Sequence, residues 1–154
     1  MSMVEAATSL FTVGVFQDVS WAAKGIDALK HAGFPSDTMT ILAKDGPDAA
    51  ALVLKVFGAA GERFEIAGVG GVIAHGTLVD ALQGGARDLG KLGLAATMRR
   101  VGFQPHDGRI YETLTARGGV LVAIRTEPRA ADALAILHSF GGGNAAIGAW
   151  GGRV

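Results

Sequence analysis

The chain contains no cysteine. That excludes disulfides, thiol nucleophiles and cysteine-ligated metal sites. Charge is sparse and balanced: charged residues make up 18%, with 14 Lys+Arg against 14 Asp+Glu. A neutral chain lacks the basic face of a nucleic-acid binder, so no nucleic-acid partner is expected. It also has little net repulsion to hold copies apart. The short catalytic motifs are missing as well. There is no Gly-x-Ser-x-Gly elbow, no Gly-Lys-Ser or Gly-Lys-Thr phosphate loop, and no pair among the histidines at helical zinc spacing. The run Gly68-Val69-Gly70-Gly71 lacks the third glycine of a dinucleotide fingerprint, because Ile73 stands in its place. No cofactor and no metal are expected. Finally, there is no clean apolar run of membrane length. The least polar window, Ile66–Leu82, carries His75 and Asp80 with Glu65 at its edge, whereas a span needs about 20 apolar residues. It reads as buried protein, and membrane association is not expected. Met1–Leu10 has Glu5 and no basic residue, which makes a poor secretory signal. A cytoplasmic location is the expectation.

What is present is a core-forming chain of 154 residues, 49% hydrophobic, enough for one domain over 1–154. Its two ends read as one unit written twice. Phe11–Phe16 has the period of a strand, Asp18–Ala32 that of a helix closed by Gly33, and Thr38–Ala43 that of a second strand. Later, Val120–Arg125 reads as a strand, Glu127–Phe140 as a helix closed by Gly141, and Ala145–Trp150 as a candidate strand. The helices superimpose with a one-residue gap, so that Leu29 meets Leu137 and Gly33 meets Gly141. Two such β-α-β units predict an α+β, ferredoxin-like sandwich with helices on one face of an antiparallel sheet. Asp18 is placed to cap the first helix and Thr126 the last, with Pro128 in that helix's first turn. Ala22, Ile26 and Leu29 should face the sheet. Val120–Arg125 is nearly continuous in apolar residues, as in a strand covered on both faces.

Residues 46–105 read as a helical, Gly-rich insertion. Pro47 opens a helix to about Phe57. Glu62–Ile66 is a short strand or an extended loop, and glycines bracket Val72-Ile73-Ala74. Thr77–Gln83 is a short helix before Gly84-Gly85. Ala86–Val101 suits one helix, weakened at Gly90 and Gly93 by about 1 kcal/mol each; such glycines survive where another backbone packs closely. Asp107–Arg117 is a further helix.

Three stretches resemble, in order, a bacterial general stress protein family of the heat-induced type. They are Thr12–Phe16 with Leu29–Phe34 and Thr40–Asp45, the Gly-rich Ala67–Gly76, and Tyr111–Arg125 with its arginine and double glycine at Arg117-Gly118-Gly119. Gly71 stands where that family often has proline, and Arg87, Asp88, Lys91, Arg99 and Arg100 make the following stretch more polar. The resemblance implies stress-related expression. It supplies no catalytic residues.

Four histidines and one helix start are the candidate sites. His31 and His138 fall in the last turns of helices, where the helix dipole favours partial positive charge. His75, between an apolar run and Gly76, is better placed for a ligand, although a histidine satisfied by the backbone is the simpler reading. His106, Asp107, Tyr111 and Glu112 cluster at a helix start and could supply acid–base groups to a pocket. The simpler reading makes Asp107 a cap, leaves Glu112 solvated and packs the Tyr111 ring. Arg99-Arg100 could meet an anion, but reads more simply as a solvated face. The leading functional expectation is a non-enzymatic, stress-associated protein acting as a homo-oligomer through the Gly-rich middle or an open sheet edge. The alternative is a small-molecule-binding or catalytic α/β-barrel-like protein with a pocket near His75 and Tyr111.

Overall fold

The computed structural model describes residues 11–125 and 129–141. They form an α+β fold with a five-stranded antiparallel sheet. β1 (Phe11–Phe16) leads into α1 (Val19–His31), and a short 3-10 turn at Ser36–Thr38 precedes β2 (Met39–Lys44). α2 (Pro47–Phe57), the hairpin of β3 (Glu62–Ile66) and β4 (Gly70–Gly76), then α3 (Thr77–Gln83) follow. The chain continues through α4 (Leu89–Leu92), α5 (Leu94–Arg100), α6 (Pro105–Ala116), β5 (Val120–Arg125) and α7 (Ala130–Ser139). The sheet order is β1-β5-β2-β4-β3. β1 and β2 both pair antiparallel to β5. They therefore run parallel to one another, and the β1–α1–β2 unit is split by the returning β5.

Helices cover both faces, not one. Val13 and Val15 of β1, Leu42 of β2, Val72 and Ala74 of β4, and Leu121 and Ala123 of β5 pack under α3–α6. The alternate residues, among them Phe16, Ile41, Ile73, Val120, Val122 and Ile124, pack under α1, α2 and α7. The period of two divides each strand between the two cores. The expectation of a single helical layer is not met: α3–α5, from the segment 46–105, join α6 in a second layer, while α2 from the same segment joins α1 and α7. That segment also supplies β3 and β4, so it extends the sheet as well as covering it. β5 is buried from Val120 to Ile124, as its unbroken apolar run requires.

The paired ends behave alike. Asp18 accepts a hydrogen bond from the Trp21 N–H at 2.9 Å and caps α1. Ala22, Ile26 and Leu29 are buried on the sheet side of α1. Leu137 of α7 is buried in the same core as Leu29. Both helices stop at a glycine of positive φ, +99° at Gly33 and +84° at Gly141, a conformation that side chains with a Cβ resist. The expected cap Thr126, Pro128 and the strand Ala145–Trp150 lie outside the described residues, as does Met1–Leu10.

The stretch 86–101 is two helices, not one, with the break at Gly93 (φ +95°). Gly90 lies against the carbonyl of Glu65, where a Cβ would collide, and its own carbonyl accepts from the Ala67 N–H at 2.8 Å. α4 thus crosses the edge strand β3. The exposed side chains there are Glu62, Arg63 and Glu65, which blunt the edge further. The Gly-rich middle is a buried strand: Val72, Ile73 and Ala74 are 0–1% exposed. Among the described residues no helix is long and apolar enough to cross a membrane.

Candidate functional site

Four elements converge at the end of the sheet where β2 begins and β4 finishes. The register pairs Thr40 with Gly76 and Ile41 with His75. This puts His75 on the face of Ile41, beneath α2, where its ring meets Phe57 with centroids 4.3 Å apart and planes tilted by 38°. Gly76 then turns the chain into α3. Its φ is +131°, and a Cβ there would strike Thr40 and the Met39 carbonyl. Thr40 is fully buried, and its Oγ1 accepts from the Leu78 N–H at 3.0 Å. One contact between β2 and β4 therefore fixes the start of α3.

A cleft of about 250 Å3 opens at this junction. Its floor is Met39, Ala74 and Val79, all buried. Its walls carry His75, the hydroxyls of Ser36 and Thr77, and the carboxylates of Asp37, Glu62 and Asp80. No lysine or arginine lines it. Glu62 is shared with Arg87, which donates to Oε2 at 3.0 Å across an exposed ion pair. Arg87 holds a positive φ of +50°, uncommon for a residue with a side chain. Phe57 adds an aromatic face beside His75. The cleft is therefore small, polar and acidic. It lies below the ~300–1,000 Å3 of pockets for drug-sized molecules, so its volume suits a ligand of only a few heavy atoms. Among the described residues no three His, Asp or Glu side chains are grouped to hold a metal ion. What the walls can do is accept hydrogen bonds and offset positive charge.

The other sequence candidates lie elsewhere. Tyr111 is buried in the core under α3–α6, edge-on to Phe103 at 6.4 Å, on the opposite face of the sheet from His75. A shared pocket of His75 and Tyr111 does not form: the alternation of β4 turns His75 toward α2, whereas α6, which carries Tyr111, packs on the other face of the sheet. His106 is exposed at the start of α6. Glu112 is half-buried, and its Oε1 accepts from the Ala95 N–H at 3.0 Å, at the first turn of α5. His106 thus faces solvent, Tyr111 lies in the core and Glu112 is engaged by α5. His31 and His138 do occupy last turns, and His31 Nδ1 lies 2.8 Å from the Asp27 carbonyl. Arg100 is held by Asp88 at 2.9 Å and donates to the Leu82 carbonyl at 2.6 Å.

Sequence reasoning missed Asp37, Phe57, Glu62 and Asp80. They come from four elements, and no linear spacing joins them. No family model matches the chain, and neither a curated protein nor a solved structure matches it.

Proposed function

We propose that this chain is a non-catalytic protein that binds a small organic cation, such as a primary amine or a quaternary ammonium group, in the His75 cleft. The observation that carries the reading is the wall composition. Asp37 and Asp80, with Glu62 already paired to Arg87, line a cleft whose lining holds no lysine or arginine, and the Phe57 ring lies beside it. A carboxylate attracts an ammonium by charge-assisted hydrogen bonds, and an aromatic face adds cation–π attraction. The resemblance of the three ordered stretches to general stress proteins supports a role in stress physiology, with the cytoplasm as the compartment. Titration of the 15N-labelled protein with putrescine and with tetramethylammonium tests the binding. Shifts confined to residues around His75 and Asp80, absent with succinate of similar size, are expected. No shift with either cation at millimolar concentration overturns the reading.

A second reading, self-association, is favoured by apolar side chains left outside. Trp21, Leu54 and Leu134, on α1, α2 and α7, are 40–55% exposed, and the chain has no net charge. The surface proposed for it is the outer side of these helices. The centre of the Gly-rich strand is buried and the β3 edge is charged, so neither is the surface proposed here. Light scattering across micromolar concentrations tests it, and a monomer throughout rejects it.

For the fold we propose the full ferredoxin-like sandwich. Its first β-α-β unit is supported by β1 and β2 flanking β5. In that fold the edge of β1 away from β5 is paired as well. Slow amide exchange along that edge of β1 is therefore expected, and fast exchange there rejects the proposal.

A further inference from the structure

Two shallow depressions adjoin on the α5–α6 layer and share Arg109. One, of about 360 Å3, runs along α6 between His106, Arg109, Ile110, Thr113, Leu114 and Arg117. The other, of about 160 Å3, continues onto α5 and adds Arg99. The spacing of the first set follows one face of a helix. Arg109 and Arg117 therefore stand about 12 Å apart along the axis, with Ile110 and Leu114 between them. Leu114 is buried and Ile110 half-buried, while Arg99, His106, Arg109 and Arg117 are exposed.

Among the described residues, no carboxylate pairs with the arginines of this groove. No carboxylate lines either depression. The ion pairs among the described residues use Arg63, Arg87, Arg100 and Arg129, and none uses Arg99, Arg109 or Arg117. The carboxylate of Glu112, on the same helix, is taken by the Ala95 N–H. In a chain of zero net charge, this is a concentrated positive strip over an apolar floor.

We propose that the groove binds an acidic amphipathic peptide segment of a partner protein. Its apolar side chains lie on Ile110, beside the buried Leu114, and its carboxylates reach Arg109 and Arg117. Complementary charge across such a surface steers association and fixes register, and helix-in-groove docking uses apolar anchors at this spacing. The elongated, open form suits a chain rather than a compact small molecule. Single-stranded nucleic acid needs aromatic platforms for its bases, and the lining holds no Phe, Tyr or Trp. The proposal does not depend on the His75 cleft.

Fluorescence anisotropy tests it with a labelled peptide of about 12 residues, matched to the length of α6, bearing leucine and glutamate at helical spacing. The controls are the same peptide with serine for leucine, and a single-stranded oligodeoxynucleotide. Saturable binding is expected for the leucine peptide only, weakening as salt is raised. The double substitution Arg109→Gln, Arg117→Gln should lower affinity about three- to thirtyfold, and Ile110→Ser should lower it by a further measurable factor. Arg63→Gln, on a remote strand, should leave it unchanged. No saturable binding, equal affinity in the double variant, or equal binding of the serine peptide or the oligonucleotide overturns the proposal.

Discussion

Replacing Gly76 by alanine tests how the cleft is built. An added Cβ would meet Thr40 Oγ1, Thr40 Cα and the Met39 carbonyl at once. Two of these three are backbone of the neighbouring strand β2, so no side-chain rotation relieves the contact. The backbone itself, at φ +131°, lies outside the basins that alanine prefers. Strain of this sort costs about 1–3 kcal/mol, and a forced shift of a close-packed strand adds about 1–3 kcal/mol. If the strands part, Thr40 also loses its bond to Leu78, so the total should exceed about 2 kcal/mol. The internal control is Gly71→Ala, five positions earlier in the same strand. Nothing lies within 4 Å of a Cβ there, and its φ is not positive. That substitution should be neutral or stabilise by up to about 1 kcal/mol through the unfolded state. Urea denaturation of both variants gives the difference directly from the midpoints at constant slope. Equal stabilities for the two variants would refute the argument that Gly76 is fixed by its contact with β2.

Other substitutions probe the rest of the architecture. Leu29→Ala and Leu137→Ala each remove a fully buried side chain from the same core. They should cost a similar amount, about 2–5 kcal/mol, by urea denaturation, and a loss below about 1 kcal/mol at Leu137 would deny α7 a role equivalent to that of α1. Glu112→Ala removes the acceptor for Ala95 and should cost about 0.5–2 kcal/mol, with faster amide exchange in the first turn of α5. An unchanged exchange rate there would return Glu112 to the status of a surface residue.

The ends of the chain were readable because their signals are local. Asp18, Gly33 and Pro35 punctuate α1 within a few residues, and the alternation in 11–16 and 39–43 fixes which face each side chain takes. Gly141 repeats the role of Gly33 for the same reason. The centre was opaque because its glycines answer to distant partners. Gly90 is set by a carbonyl of β3, and Gly76 by a threonine of β2, and neither partner is visible along the chain. A run such as Gly70–Gly76 has the composition of a flexible link, yet it folds as a strand with a buried centre because Val72 and Ala74 serve one core and Ile73 the other. The candidate site followed the same rule. His75 could be picked out from its neighbours, but its carboxylate companions arrive from β3, from α3 and from the turn before β2. Tyr111 was expected beside it, and the two are separated by the sheet.

Binding of a small organic cation at His75 is the central functional claim. Isothermal titration of putrescine into the wild type and into the double variant Asp37→Asn, Asp80→Asn addresses it most directly. Both carboxylates are exposed on the cleft walls, so the variant should fold. Saturable binding to the wild type is expected, falling at least tenfold in the variant, about 1.4 kcal/mol. Absence of binding to the wild type, or equal affinity in the two proteins, would contradict that claim.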